Sequence, residues 1–194
     1  MNKIFFIMGK SASGKDSIYQ KVIEQLSSLK TVVLYTTRPI RVGEVDGKDY
    51  FYISEKKCKE YRDQNKIIEM RSYNTVCGVW SYLTIDDGQI NLDSTSYLMI
   101  GTLESYIQIC KYYGNENVVP IYIEVEDKKR LLRAIKREEK ETIPKYTEVC
   151  RRFLADSEDF SEENLVKANV VYRFINNNLE ECAAEVVLFI NKKV

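Results

Sequence analysis

The chain has 194 residues, and its 29 basic and 29 acidic side chains cancel, so no overall field draws it to nucleic acid or to an anionic membrane. It has no histidine and five singly spaced cysteines, which removes the commonest general base and leaves no pattern for a zinc site. The length suits a single domain built around one main core.

Residues 3–8, KIFFIM, form a short apolar run that breaks at Gly9, the pattern of a buried central strand. From Lys15 to Leu29 the apolar positions Ile18, Val22, Ile23 and Leu26 predict an amphipathic helix. TVVLYTT predicts a second strand ended by Pro39, and RVGEVDGKDYFYI a turn leading into an exposed strand. Residues 55–65 are polar and helical in pattern, and KIIEM follows as a strand. SYLMIG and VVPIYIEV are two further buried strands, with Pro120 near the start of the second. Residues 126–140 and 145–157 predict charged helices separated by Pro144, NVVYRFI a last strand, and residues 178–192 a closing helix. This alternation implies an α/β fold with a mostly parallel, doubly wound sheet. Cys58, Cys77, Cys110, Cys150 and Cys182 are expected as small core residues in a reducing cytosol. The opening apolar run is too short for a signal peptide or membrane span, so a cytoplasmic location is expected.

Between the first strand and the first helix stands GKSASGKDS, the frame G-x-x-x-x-G-K of a phosphate-binding loop. In such a loop the backbone N–H groups of Gly9, Lys10, Ser11, Ala12, Ser13, Gly14 and Lys15 converge on phosphate oxygens. The following helix adds the positive end of its dipole, and Lys15 bridges the phosphates being transferred. Ser17 lies in the first turn. Asp16 occupies the position where a serine or threonine hydroxyl ordinarily meets magnesium. A carboxylate beside a nucleotide triphosphate calls for a cation between them, so Asp16 is a candidate magnesium ligand. The alternative is an acidic first-turn residue favoured by the helix dipole.

YTTRPIRVGEVDGKDYFY, Tyr35 to Tyr52, resembles the T-T-R-x-x-R-x-G-E-x-x-G-x-D-Y stretch of the guanylate kinase family, at the same distance after the loop. The resemblance implies a P-loop kinase with an inserted acceptor-binding subdomain and a helical lid. The single domain, 1–194, would divide into a core (1–33, 92–136 and 153–194), an acceptor subdomain (34–91) and a lid (137–152). It further implies ATP-dependent phosphorylation of a nucleoside monophosphate, GMP first, with Mg2+ as cofactor and neither nucleic acid nor membrane as partner. Arg38, Arg41 and Tyr50 would grip the acceptor phosphate, a role that two guanidinium forks and a phenol suit. Glu69 would read guanine, because an ionised carboxylate accepts from the adjacent N1–H and N2–H. Arg133 and Arg137, four apart on one helix, and Arg152 on the next match the closing lid arginines, and FINNNLEEC places Asn176 near adenine. Gly78 and Thr102 fall at further acceptor positions.

Four departures lie in the acceptor pocket. Leu34 replaces a base-facing serine, Cys77 a tyrosine and Val79 a hydroxyl residue. YLMIGTLES puts Ile100 and Thr102 where the family has acidic residues. Asp16 then stands as the replacement carboxylate for the metal. G-K-D-S with no acidic pair also resembles ribose 1,5-bisphosphate phosphokinase, the second enzymatic reading. A third is a catalytically silent binding module, although such modules tend to lose the phosphate loop that this chain keeps.

Overall fold

The computed structural model describes residues 1–75 and 78–193. Among the described residues there are nine strands and seven helices. The first strand, β1 (Ile4–Met8), is the middle of a five-stranded sheet in the order β2-β7-β1-β8-β9. It pairs with β7 (Tyr97–Gly101) and β8 (Val118–Glu124), β2 (Lys30–Thr31) joins β7 and β9 (Arg173–Ile175) joins β8, and every pairing is parallel.

Parallel strands need helices on both faces, and the side chains of β1 are apolar on both faces. Phe5 and Ile7 pack with Ile18 and Val22 of α1 (Lys15–Gln25) and with Val186 and Ile190 of α7 (Leu179–Asn191). Phe6 and Met8 point the other way, into a cluster with Leu103, Tyr106 and Ile109 of α3 (Leu103–Tyr113). All five β1 side chains are buried, each worth about 1.5–3 kcal/mol.

A second, four-stranded sheet has the order β4-β3-β6-β5 and lies between β2 and β7 in the chain. It consists of β3 (Tyr35–Thr36), β4 (Phe51–Tyr52), β5 (Ile67–Thr75) and β6 (Gly78–Ile85). The antiparallel hairpin β5–β6 dominates it, and α2 (Glu55–Asp63) packs Cys58 into its small core with Tyr35, Leu83 and Ile85. The remaining helices are α4 (Asp127–Glu138), α5 (Tyr146–Asp159) and α6 (Glu162–Lys167). Among the described residues no helix is long and apolar enough to cross a membrane.

Four expectations change. TVVLYTT is not one strand: Lys30–Thr31 pairs with β7 in the first sheet and Tyr35–Thr36 with β4 and β6 in the second. Val32 and Leu34 turn between them against the core, so one apolar run serves two sheets. NVVYRFI shortens to its last three residues, which pair with Tyr122, Ile123 and Glu124 at the end of β8. Cys150 is exposed on α5 rather than in the core, and Cys77 lies outside the described residues. GVWSYLTI is a strand that the sequence reading left unassigned, as it did the helices α3 and α6.

Candidate active site

The glycine loop joins the end of β1 to the start of α1, and two of its residues explain its composition. A Cβ on Gly9 would lie 2.6 Å from the backbone carbonyl oxygen of Ile123, so the loop crosses the end of β8 only with glycine there. Gly14 sits at φ 85°, in the left-handed region, and directly against the amide of Asn176. Gly14 gives α1 no side-chain cap, so no cap side chain competes with an anion for the first-turn N–H groups.

The loop is braced from outside. The buried Asn176 donates its Nδ2 to the Ser13 carbonyl at 2.8 Å. Asp156 of α5 accepts the Ser11 N–H at 2.7 Å and also an Arg130 Nη1 bond at 3.1 Å. Arg130 is 1% exposed, takes a second carboxylate from Asp127 and lies 4.0 Å over the Phe153 ring. A buried charge is tolerable only with such pairing. Two buried atoms in this region, Ser13 Oγ and Asn176 Oδ1, have no hydrogen-bond partner among the described residues.

Around the loop stand several residues expected there. Lys15 Nζ meets Asp16 Oδ2 at 3.2 Å, and the Asp16 side chain is 81% exposed. Arg152 donates to Ser11 Oγ at 3.0 Å and Arg133 to the Asn176 carbonyl at 3.1 Å. Arg137, one turn beyond Arg133, is exposed. The sequence reading missed Asp156 and Arg130. Asp127 and Arg130 at i,i+3 are a visible signal, but Asp156 is brought in only by the packing of α5 on α4.

The acceptor-side residues gather on the second sheet. Arg38 is 3% exposed and grips Glu44 with both Nη groups at 2.8 Å. Glu44 also accepts the Tyr52 hydroxyl at 2.7 Å and the Arg41 N–H at 2.8 Å. The bonded Arg38, with these donors, holds the Glu44 carboxyl down from its usual 4.5 to about 2. Arg38 Nε is buried with no partner among the described residues, while its guanidinium lies 5.3 Å from the Tyr50 ring. The Arg41 side chain is exposed. Tyr50 packs edge-on to Tyr82, and Tyr82 lies opposite Arg71 in the hairpin.

Glu69 is buried beside Arg71 and Thr84, at 3.2 Å from Arg71 Nε and 3.1 Å from the Thr84 hydroxyl. Burial pushes its carboxyl up, against the pull of Arg71. Gly78 opens β6 at φ 107°, and Val79 is exposed. Thr102 has its hydroxyl committed to the N-terminus of α3, where it accepts the Ser105 N–H at 3.2 Å in a capping box. It also lines a cavity of 620 Å3 whose walls include Tyr73 and Lys111 but no residue of the glycine loop. Ile100 packs into the core. Among the described residues no group of three or more cysteine or acidic side chains could hold a metal.

A parallel sheet whose middle strand runs through a braced glycine loop into a helix, joined to a smaller sheet rich in buried charge, defines a P-loop kinase. Residues 1–193 match the family model described as guanylate kinase, and the chain belongs to that family. It is 27% identical over 198 residues to the guanylate kinase of Mycoplasma mobile, an alignment that spans 99% of this chain and 94% of the relative. Shorter matches of 67 residues reach 39% identity with the guanylate kinase of Thermotoga maritima and 43% with that of Syntrophus aciditrophicus, each taking in 34% of this chain and 32% of the relative. The crystal structure of guanylate kinase from Anaplasma phagocytophilum superposes with a TM-score of 0.67 at 18% identity, over 99% of this chain and 86% of that one, and shows the shared fold. As a family member the chain is a nucleoside monophosphate kinase.

Proposed function

We propose that the chain transfers the γ-phosphoryl group of ATP to GMP, giving ADP and GDP. One observation carries the reading: a glycine loop whose helix start has no side-chain cap, with a part-buried Lys15 beside the exposed Asp16, occurs in one chain with a second sheet that buries Arg38 and Glu69.

In this reading the loop holds the ATP phosphates, Lys15 balances charge on the transferring group, and Arg133, Arg137 and Arg152 close over it. Asn176 lies toward the adenine. Arg38, Arg41 and Tyr50 hold the GMP phosphate, and Glu69 reads its base. An oxygen of that phosphate attacks the γ-phosphorus, the bond to the β,γ-bridging oxygen breaks, and its electron pair leaves on ADP. The attacking phosphate has a second pKa of about 6 and is ionised at neutral pH, so the step needs no general base. The absence of histidine is consistent with this.

Magnesium supplies charge neutralisation at the β- and γ-phosphates when bound. The exposed Asp16 carboxylate fits such an ion, which is held mostly by phosphates and water and takes one or two carboxylates. A division into core, acceptor part (34–91) and lid (137–152), and a cytoplasmic setting, belong to the same proposal.

A sugar bisphosphate acceptor is favoured by one observation, that Arg71 and Thr84 already engage Glu69. ADP release measured against GMP, dGMP, AMP, UMP and ribose 1,5-bisphosphate separates the two. Turnover of GMP well above the others is expected, and turnover of the sugar bisphosphate with none of GMP would overturn the proposal.

A further inference from the structure

The acceptor sheet carries a charged side chain that neither the motif reading nor the phosphate machinery uses. Arg71 lies two residues beyond Glu69 in β5, and strand geometry puts positions i and i+2 on one face. Its side chain is 11% exposed and that of Glu69 2%. Arg71 Nε donates to Glu69 Oε2 at 3.2 Å, and Nη2 to Oε1 at 3.4 Å, while the Thr84 hydroxyl donates to Oε1 at 3.1 Å.

A carboxylate offers about four lone-pair sites, two on each oxygen. Oε1 is therefore full and Oε2 half full, so Glu69 cannot accept from both N1–H and N2–H of a guanine until one bond yields. The Arg71 Nη2 bond is the one that would yield, because at 3.4 Å it is longer than an ordinary N–H···O bond. The freed Nη2 then needs an acceptor. Guanine carries one next to N1, the O6 carbonyl, and arginine donating to guanine O6 is the pairing that the geometry of both groups favours. Leu34 and Val79 can donate nothing to that oxygen. A buried O6 without a donor would weaken binding.

We infer that Arg71 is a specificity-determining residue of the acceptor site, exchanging its bond to Glu69 Oε1 for one to the O6 carbonyl of guanine. The inference rests on the reading of Glu69 as the base-reading carboxylate. Nε stays on Oε2, so the buried carboxylate keeps its counter-charge while its second oxygen opens to the base. Arg71 and Glu69 thus act as one donor–acceptor unit matched to the O6, N1 and N2 edge.

The test is titration calorimetry of the full chain with GMP, 6-thio-GMP and IMP. The thio analogue keeps N1–H and N2–H but replaces O6 by a poorer acceptor, whereas IMP keeps O6 and loses the N2 amine. The wild type is expected to prefer GMP over 6-thio-GMP by about tenfold or more, the size of one hydrogen bond to a charged group. Arg71→Ala should reduce that preference to about twofold while keeping the preference for GMP over IMP. Arg71→Lys, which keeps the charge on Glu69 and guards against misfolding, should give an intermediate preference. If both variants discriminate against 6-thio-GMP as the wild type does, Arg71 is only a counter-ion and the inference fails with the Glu69 reading intact. A wild type that binds GMP and IMP equally overturns the Glu69 reading and the inference together.

Discussion

The two ends of this molecule handle charge in opposite ways. At the glycine loop the supporting charges lie behind the site: Asp156, Arg130 and Asp127 satisfy one another and brace Ser11, while Lys15, part-buried, pairs with the exposed Asp16. On the second sheet the residues proposed to meet the acceptor are themselves paired, Arg38 with Glu44 and Arg71 with Glu69. The loop end is preorganised, and an incoming phosphate there displaces little but water. On the proposed reading, the acceptor end would exchange internal bonds for ligand bonds, which lowers net affinity but makes a ligand that cannot complete the exchange costly.

The sharpest way to break this contrast is at Lys15. Lys15→Ala is expected to lower kcat by about 100-fold or more with an unchanged far-UV spectrum, since in the proposed reading its charge serves the transferring group, while its one ion pair is with the neighbouring, exposed Asp16. Turnover near the wild-type level would mean that the loop is only a turn.

Asp156→Ala tests the brace. It leaves the buried Arg130 with Asp127 alone and the Ser11 N–H without its acceptor, so denaturant unfolding should show a loss of about 3 kcal/mol and ATP should bind more weakly. A loss under about 0.5 kcal/mol, the range of ordinary surface changes, would show that the brace is not what orders the loop.

Arg38→Ala should raise the KM for GMP by about tenfold with little change for ATP, because its proposed contact is to the acceptor phosphate. Equal losses for both substrates would make Arg38 a fold residue. Its partner supplies a pH test. A carboxyl held at about 2 when folded, against 4.5 ordinarily, contributes stability that is fully present above pH 4.5 and is lost as the pH falls toward 2. Thermal melts should show Glu44→Gln less stable than wild type at pH 7, with the gap closing across that window. A gap that stays constant with pH would remove the Arg38–Glu44 pair as its source.

The smallest expected effect is at Asp16. Asp16→Ser restores the common loop motif but removes the exposed carboxylate, and the magnesium concentration for half-maximal rate should rise a few-fold, about twofold to fivefold. A variant that matches or exceeds wild type at limiting magnesium would leave Asp16 as a first-turn residue favoured by the helix dipole.

Much of this protein was legible along the chain because the signals are local. The run from Ile4 to Met8, the break at Gly9 and the periodicity from Ile18 to Leu26 need no distant partner to read as strand, loop and helix. The stretch from Tyr35 to Tyr52 is contiguous, so its resemblance to the guanylate kinase motif could be seen without any structure. Pairing between distant segments was not legible. Whether TVVLYTT forms one strand or two depends on where β7 and β6 arrive, and the role of Asp156 depends on how α5 lies on α4. Arg38, expected to grip a phosphate, is held by Glu44 of the segment between β3 and β4, and the pairing of Arg71 with Glu69 appears only in the folded sheet. By itself the sequence determined the strand–loop–helix unit, because this rests on periodicity and on glycine geometry within about two dozen residues. Only the tertiary structure decided which charges are spent on each other and which face a ligand, because the cost of leaving a charge unpaired appears only once packing has removed the water around it.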